Sequence, residues 1–115
     1  MRVLLIEDDP ALQRATTRLI HRALGSRAAV SICGTAGSAA FLLGACMFDL
    51  ILSDYDLGTS TGADVLEYLR DRQPEMVDRF VFFSGTDGLT KIHPKVIEKG
   101  IDVETFVQQL QGYLP

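Results

Sequence analysis

Four places in this 115-residue sequence hold side chains that could do chemistry together: Glu7-Asp8-Asp9, Asp54-Tyr55-Asp56, Ser84 and Lys99. Each closes a short apolar run, at residues 3–6, 50–52, 80–83 and 96–97. Runs of that length and composition are expected for strands covered on both faces. In an open parallel sheet, ligands bind at the carboxyl ends of the strands, near the point where strand order reverses. The acids, the hydroxyl and the amine are therefore expected at one edge. Carboxylates crowded there repel one another unless a cation neutralises them, and hard oxygen donors suit Mg²⁺. A solvated acidic turn would not also draw a serine and a lysine from two further strands.

The segments between these runs must carry the chain back across the sheet. Asp9-Pro10 is an N-cap followed by proline at the first helical position. Leu12, Ala15, Leu19, Ile20 and Ala23 then recur at helical spacing as far as Gly25. Residues 29–33 predict a second strand, and 38–46 a second helix weakened by Gly44. Residues 54–61 are rich in Gly, Ser, Thr and Asp and predict a loop. A third helix is expected over 62–72, with Val65, Leu66 and Leu69 inward and Pro74 closing it. Asp102 should cap a last helix that buries Val103, Phe106, Val107 and Leu110. Strict alternation of strand and helix means right-handed βαβ units. The fold class is α/β, a doubly wound five-stranded parallel sheet. One crossover is abnormal. Between Ser84 and Lys99 the loop and fifth strand leave room for roughly two helical turns of ~3.6 residues each, and Gly85, Gly88 and Pro94 interrupt them. The fourth helix is expected to be shortened or missing.

Length and composition narrow the function classes. The chain has the size of one domain, so residues 1–115 are expected to form a single unit. With 47% apolar and 23% charged residues it is globular in composition, not disordered or fibrous. Eleven basic against fifteen acidic residues give a net charge of −4, which argues against direct nucleic-acid binding. No apolar run approaches the ~18 residues of a membrane span, and the run at 3–6 is too short for a signal peptide. Cys33 and Cys46 form no metal or redox pattern, so free thiols in a reducing, cytoplasmic setting are expected.

In their order along the chain, Leu5-Ile6-Glu7-Asp8-Asp9, Leu50-Ile51-Leu52-Ser53-Asp54, Gly62, Phe82-Phe83-Ser84-Gly85 and Glu98-Lys99 resemble the receiver domain of two-component response regulators, the CheY-like family. The resemblance spans the whole chain and implies a flavodoxin-like sheet. It implies that Asp54 is the phosphoacceptor, taking a phosphoryl group from a histidine kinase or histidine phosphotransfer protein. Glu7, Asp8, Asp54 and the backbone carbonyl of Asp56 would hold Mg²⁺, Glu7 through water. Lys99 would pair with Asp54, and Ser84 would move to bond the phosphoryl group. Asp9 is read as the helix cap and not as a ligand. The role implied is signalling through a phosphorelay to an output partner that the residues do not name, not enzymatic turnover of a substrate.

Some positions depart from the family pattern. Gly100 follows Lys99 where a proline is usual, Gly58 replaces another common proline, and Val96 stands where a switching aromatic is frequent. With the short fourth crossover, these departures point away from the usual fourth-helix dimer face and toward Ser84 and the loop after it. Two other function classes fit parts of the pattern. A haloacid-dehalogenase-type phosphatase shares the order Asp54-x-Asp56, Ser84, Lys99. However, its acidic pair follows the lysine, whereas Glu7-Asp8 precedes it, and no segment is left for a cap. A docking domain that works without phosphorylation would keep the fold and form no phosphoryl adduct. Arg14, Arg18 and Arg22 share one face of the first helix, either as a solvated ridge or, as the resemblance to receivers implies, as a surface for docking the kinase or another acidic partner. His21 and His93 have no ligand partners at metal spacing, and Tyr55 either screens Asp54 from water or covers the loop.

Overall fold

The computed structural model describes residues 1–114. Five parallel strands, β1 (Arg2–Ile6), β2 (Ala29–Cys33), β3 (Leu50–Ser53), β4 (Phe80–Ser84) and β5 (Val96–Glu98), form one sheet in the order β2-β1-β3-β4-β5. Four helices connect and cover them: α1 (Pro10–Leu24), α2 (Ala36–Ala45), α3 (Gly62–Arg72) and α4 (Val103–Tyr113). This is the doubly wound, flavodoxin-like arrangement expected from the alternation. Its order reverses between β1 and β3, so the ends of those two strands border the crevice.

The central strands are apolar on both sides because both sides are covered. Leu4, Ile6, Ile51, Phe80 and Phe82 enter one core with Leu43 of α2 and Leu66 and Leu69 of α3. Val3, Leu5, Leu52, Val81 and Phe83 enter the other with Ile20 of α1 and Phe106 and Leu110 of α4. The helix ends follow local chemistry. Asp9 accepts hydrogen bonds from the Ala11 and Leu12 amides, at 2.8 and 3.2 Å, and Pro10 begins α1. Thr61 and Asp64 form a reciprocal capping box at the start of α3.

Four expectations are corrected. Val103, at the start of α4, is 40% exposed and lies off the face that buries Phe106 and Leu110. The second helix starts two residues earlier, because Thr35 caps it by accepting from the Ser38 amide. Pro74 does not merely stop α3. It opens a six-residue 3₁₀ segment, Pro74–Arg79, which buries Met76. Asp102 holds the N-cap position of α4, but its carboxylate is taken by the Thr105 hydroxyl and bonds no backbone amide.

The fourth crossover contains no α-helix. Leu89–Lys91 makes a single 3₁₀ turn after Gly88, whose φ of +78° favours glycine. Two buried side chains fill the space left open. Leu89 packs into the first core, and the His93 ring lies edge-on to Phe80 and Phe82. The His93 Nε2 donates to the Phe80 carbonyl at 2.6 Å, satisfying a β4 group that precedes the β5 ladder.

Burial holds the His93 pKa below its ordinary 6.5, and the Arg70 and Lys95 charges act the same way, against the Phe80 bond and Asp78. A depressed histidine pKa contributes stability above the unfolded value that is lost as pH falls through the folded value. The unfolding free energy should therefore decline as pH drops below 6.5, ahead of the main carboxylate titration near pH ~4. His93→Gln, which can still donate to Phe80, should flatten that decline in denaturant titrations. An unchanged slope would assign the pH dependence elsewhere.

Candidate functional site

β1 and β3 end side by side, Ile6 opposite Ser53, so the residues that follow them face one another across the switch point. The Asp54 amide donates to the Ile6 carbonyl at 3.0 Å and extends that pairing by one residue. Oxygens of Glu7, Asp8 and Asp54 all lie within 4.8 Å of one another. Lys99, just past β5, reaches across with its Nζ 2.7 Å from Glu7 Oε1 and 2.8 Å from Asp54 Oδ2. The other Asp54 oxygen accepts the Tyr55 amide at 2.7 Å, so the carboxylate is held at both ends.

Burial within the cluster is graded. Glu7 is buried, Asp54 is half-buried and Asp8 is exposed at the lip. Burial raises the Glu7 pKa, and the bonds from Lys99 and the Asp9 amide only partly oppose it. Burial also works against the Lys99 charge, but its bonds to Asp54 and Glu7 prevail and raise its pKa. Burial thus sets the direction for Glu7, and its two carboxylate partners set it for Lys99. Three carboxylates against one lysine leave a formal charge of −2, and the donors are hard oxygens with one ligand exposed to solvent. That donor set fits a small divalent cation such as Mg²⁺.

Ser84 ends β4 one strand away. Its side chain is buried, and its Oγ accepts the Thr86 amide at 3.2 Å, which folds the loop back over it. The Asp56 carboxylate is not one of the clustered acids and accepts the Gly58 amide at 3.0 Å. Gly58 lies against Asp8, since a Cβ at this position would sit 3.5 Å from Asp8 Oδ2, and its φ is +78°. Gly100 has a φ of +91°, which proline cannot adopt, so the departure after Lys99 is built into this turn. No cis peptide bond occurs among the described residues.

Two contributors carried no sequence signal. Gln13 donates from Nε2 to the Glu7 carbonyl at 2.6 Å, a contact that depends on how α1 lies over the sheet. The Tyr55 amide that orients Asp54 is backbone, common to any residue type. Gly62, eight residues after Asp54, is explained by contact: an added Cβ would meet the Asp54 carbonyl oxygen at 2.3 Å.

Neither a family model nor a curated protein sequence matches the chain. Solved structures do. A CheY-like response regulator receiver domain from Methylobacillus flagellatus superposes with a TM-score of 0.81 over 98% of both chains, at 22% identity. The chain has the receiver-domain fold. The response regulator TrrA from Thermotoga maritima, in complex with Mg²⁺-BeF, gives 0.82 over 98% of both chains at 12% identity. A LuxR-family two-component response regulator from Aurantimonas gives 0.82 over 96% of this chain and 82% of that one, at 23% identity. The crevice that an open parallel sheet forms at this switch point holds the acidic cluster with Lys99. Among the described residues no helix is long and apolar enough to cross a membrane.

Proposed function

We propose that this chain is the phosphoacceptor receiver of a two-component phosphorelay, with Asp54 accepting the phosphoryl group. The observation that carries this is Lys99, drawn from β5 to bridge Glu7 and Asp54 at the switch point of a receiver fold. The Asp54 carboxylate attacks the phosphorus of a phosphohistidine on a histidine kinase or phosphotransfer protein. The new O–P bond forms as the P–N bond breaks, and the electron pair leaves with the imidazole. Such a transfer asks mainly for positioning and for charge balance on the phosphoryl oxygens. Tyr55 N–H and Lys99 fix the nucleophile's orientation. Lys99 then exchanges its Asp54 bond for a phosphoryl oxygen, and Ser84 gives up the Thr86 amide to donate its hydroxyl to another.

Asp8, Asp54 and the Asp56 carbonyl would hold Mg²⁺ directly, with Glu7 acting through water, as the resemblance to receivers implies. Bound there, the cation supplies charge neutralisation for the entering phosphoryl group. The same chemistry predicts a stability effect. Millimolar Mg²⁺ binds the folded pocket and not the unfolded chain, so occupancy at ten times Kd should add roughly 1.4 kcal/mol. A thermal melt should rise accordingly, and Asp8→Ala should remove the rise. A melting point indifferent to Mg²⁺ at neutral pH would favour the docking domain that works without phosphorylation.

The direct test is incubation with Mg²⁺ and a small-molecule phosphodonor, followed by intact-mass and peptide analysis. The expected result is an acid-stable, base-labile adduct of about 80 Da on the peptide containing Asp54. An adduct on another residue, or none, overturns the proposal.

A further inference from the structure

β2 is an edge strand of the sheet, and it is not blunted. Ala29-Val30-Ser31-Ile32-Cys33 contains no charge, proline or bulge, the usual devices that keep an edge from pairing. The Ala29 amide and the Cys33 carbonyl bond toward β1, so alternation turns the N–H and C=O groups of Val30 and Ile32 outward. The two flanks of this edge differ. On one side lies α1, whose His21 reaches the Ala28 carbonyl at 3.0 Å, just before β2. Arg14 precedes His21 by seven residues and shares its face, with exposed Arg18 beside it. On the other side lies α2, which carries no charged residue and leaves Phe41 76% exposed. An open groove on this flank joins Phe41 and Leu42 to Cys33 at the end of β2. From Pro10 to Phe48 the chain has four arginines, Arg14, Arg18, Arg22 and Arg27, and no carboxylate, inside a protein of net charge −4.

We propose that the β2 edge is a docking site for an extended segment of a partner protein, added as a sixth strand. Successive residues of such a strand point to opposite faces. Acidic side chains would meet Arg14 and Arg18, and the alternate apolar ones would cover Phe41 and Leu42. The charge pattern decides against a second copy as occupant. Antiparallel pairing of β2 with β2 about a twofold axis would bring both arginine ridges to the same side of the joined sheet. No carboxylate between residues 10 and 48 could neutralise them. The site uses no group of the Asp54 chemistry and does not rest on the phosphoacceptor proposal.

The test uses the whole protein and a blocked peptide of about nine residues alternating valine and glutamate, followed by amide NMR and calorimetry. Saturable binding is expected, with slowed exchange of the Val30 and Ile32 amides and weakening at high salt. The double variant Arg14→Glu, Arg18→Glu should bind about tenfold more weakly, with an unchanged melting point. Asp54→Asn should bind as the parent does. Equal binding of the same peptide N-methylated along its pairing edge would exclude strand addition and overturn the proposal. So would protection confined to other strands, dimerisation of the protein alone in sedimentation, or adsorption to anionic vesicles without peptide binding.

Discussion

Asp54→Asn is expected to form no phosphoryl adduct under conditions that label the parent chain fully, while keeping the fold. The substitution preserves volume and removes the carboxylate proposed as the nucleophile. Its effect on stability is the sum of two opposed effects, and only the structure reveals the second. Losing one charge reduces the cluster's formal charge from −2 to −1, which relieves repulsion with Glu7 and Asp8. Yet both Asp54 oxygens accept hydrogen bonds, one from Tyr55 N–H and one from Lys99, and an amide offers one acceptor for the two. Loss of a bond to a charged group costs roughly 1.5–3 kcal/mol, so the two effects should nearly cancel, leaving a net change within about 1 kcal/mol. Intact mass and a denaturant titration read the two halves separately. A normal adduct yield on the variant would remove Asp54 from the reaction.

Gly62→Ala should be the most destabilising single-methyl change available in this chain. In a helix, glycine to alanine ordinarily stabilises by about 1 kcal/mol. Here the added methyl would sit 2.3 Å from the Asp54 carbonyl oxygen, 2.9 Å from Phe82 Cε1 and 3.0 Å from Ser53 Oγ. Two of those atoms belong to the end of β3, which is anchored in the sheet on both sides, and one to a buried ring. None can yield without moving the strand that leads to Asp54. A loss at or above the ~3 kcal/mol upper end of ordinary overpacking is expected, together with weaker Mg²⁺ response. Gly44→Ala supplies the contrast. Its Cβ would lie 3.7 Å from the Tyr68 hydroxyl, an ordinary contact, so the helix-propensity gain should survive. If both variants melt alike, the close approach at Gly62 does not constrain the fold.

The departures from the family pattern bear on how a signal would leave the pocket. Leu89 and the His93 ring, in place of a fourth helix, anchor the segment that begins at Ser84. Arg70 adds a bond to the Ile92 carbonyl at 2.9 Å. Movement of Ser84 toward a phosphoryl group would pull on a short, buried plug, not on a rigid helical face.

What the residues determined by themselves was the order of elements and the edge at which the chemistry lies. Runs such as 3–6 and 50–52 are apolar without interruption, and only a strand covered on both faces uses such a run. Caps at Asp9 and Thr61 act within a few residues, so their signals are local and legible. The acids, Ser84 and Lys99 could be assigned to one edge because every strand of a parallel sheet ends there. The tertiary structure decided what depends on separation in space. That Lys99 is shared between Glu7 and Asp54 follows from strand order, which places β4 between β3 and β5. That Asp56 turns to Gly58, that Gln13 supports Glu7 and that His93 replaces a helix follow from packing between distant segments. Local propensity acts over a turn or two of chain, whereas these contacts need the whole sheet in place before either partner can find the other.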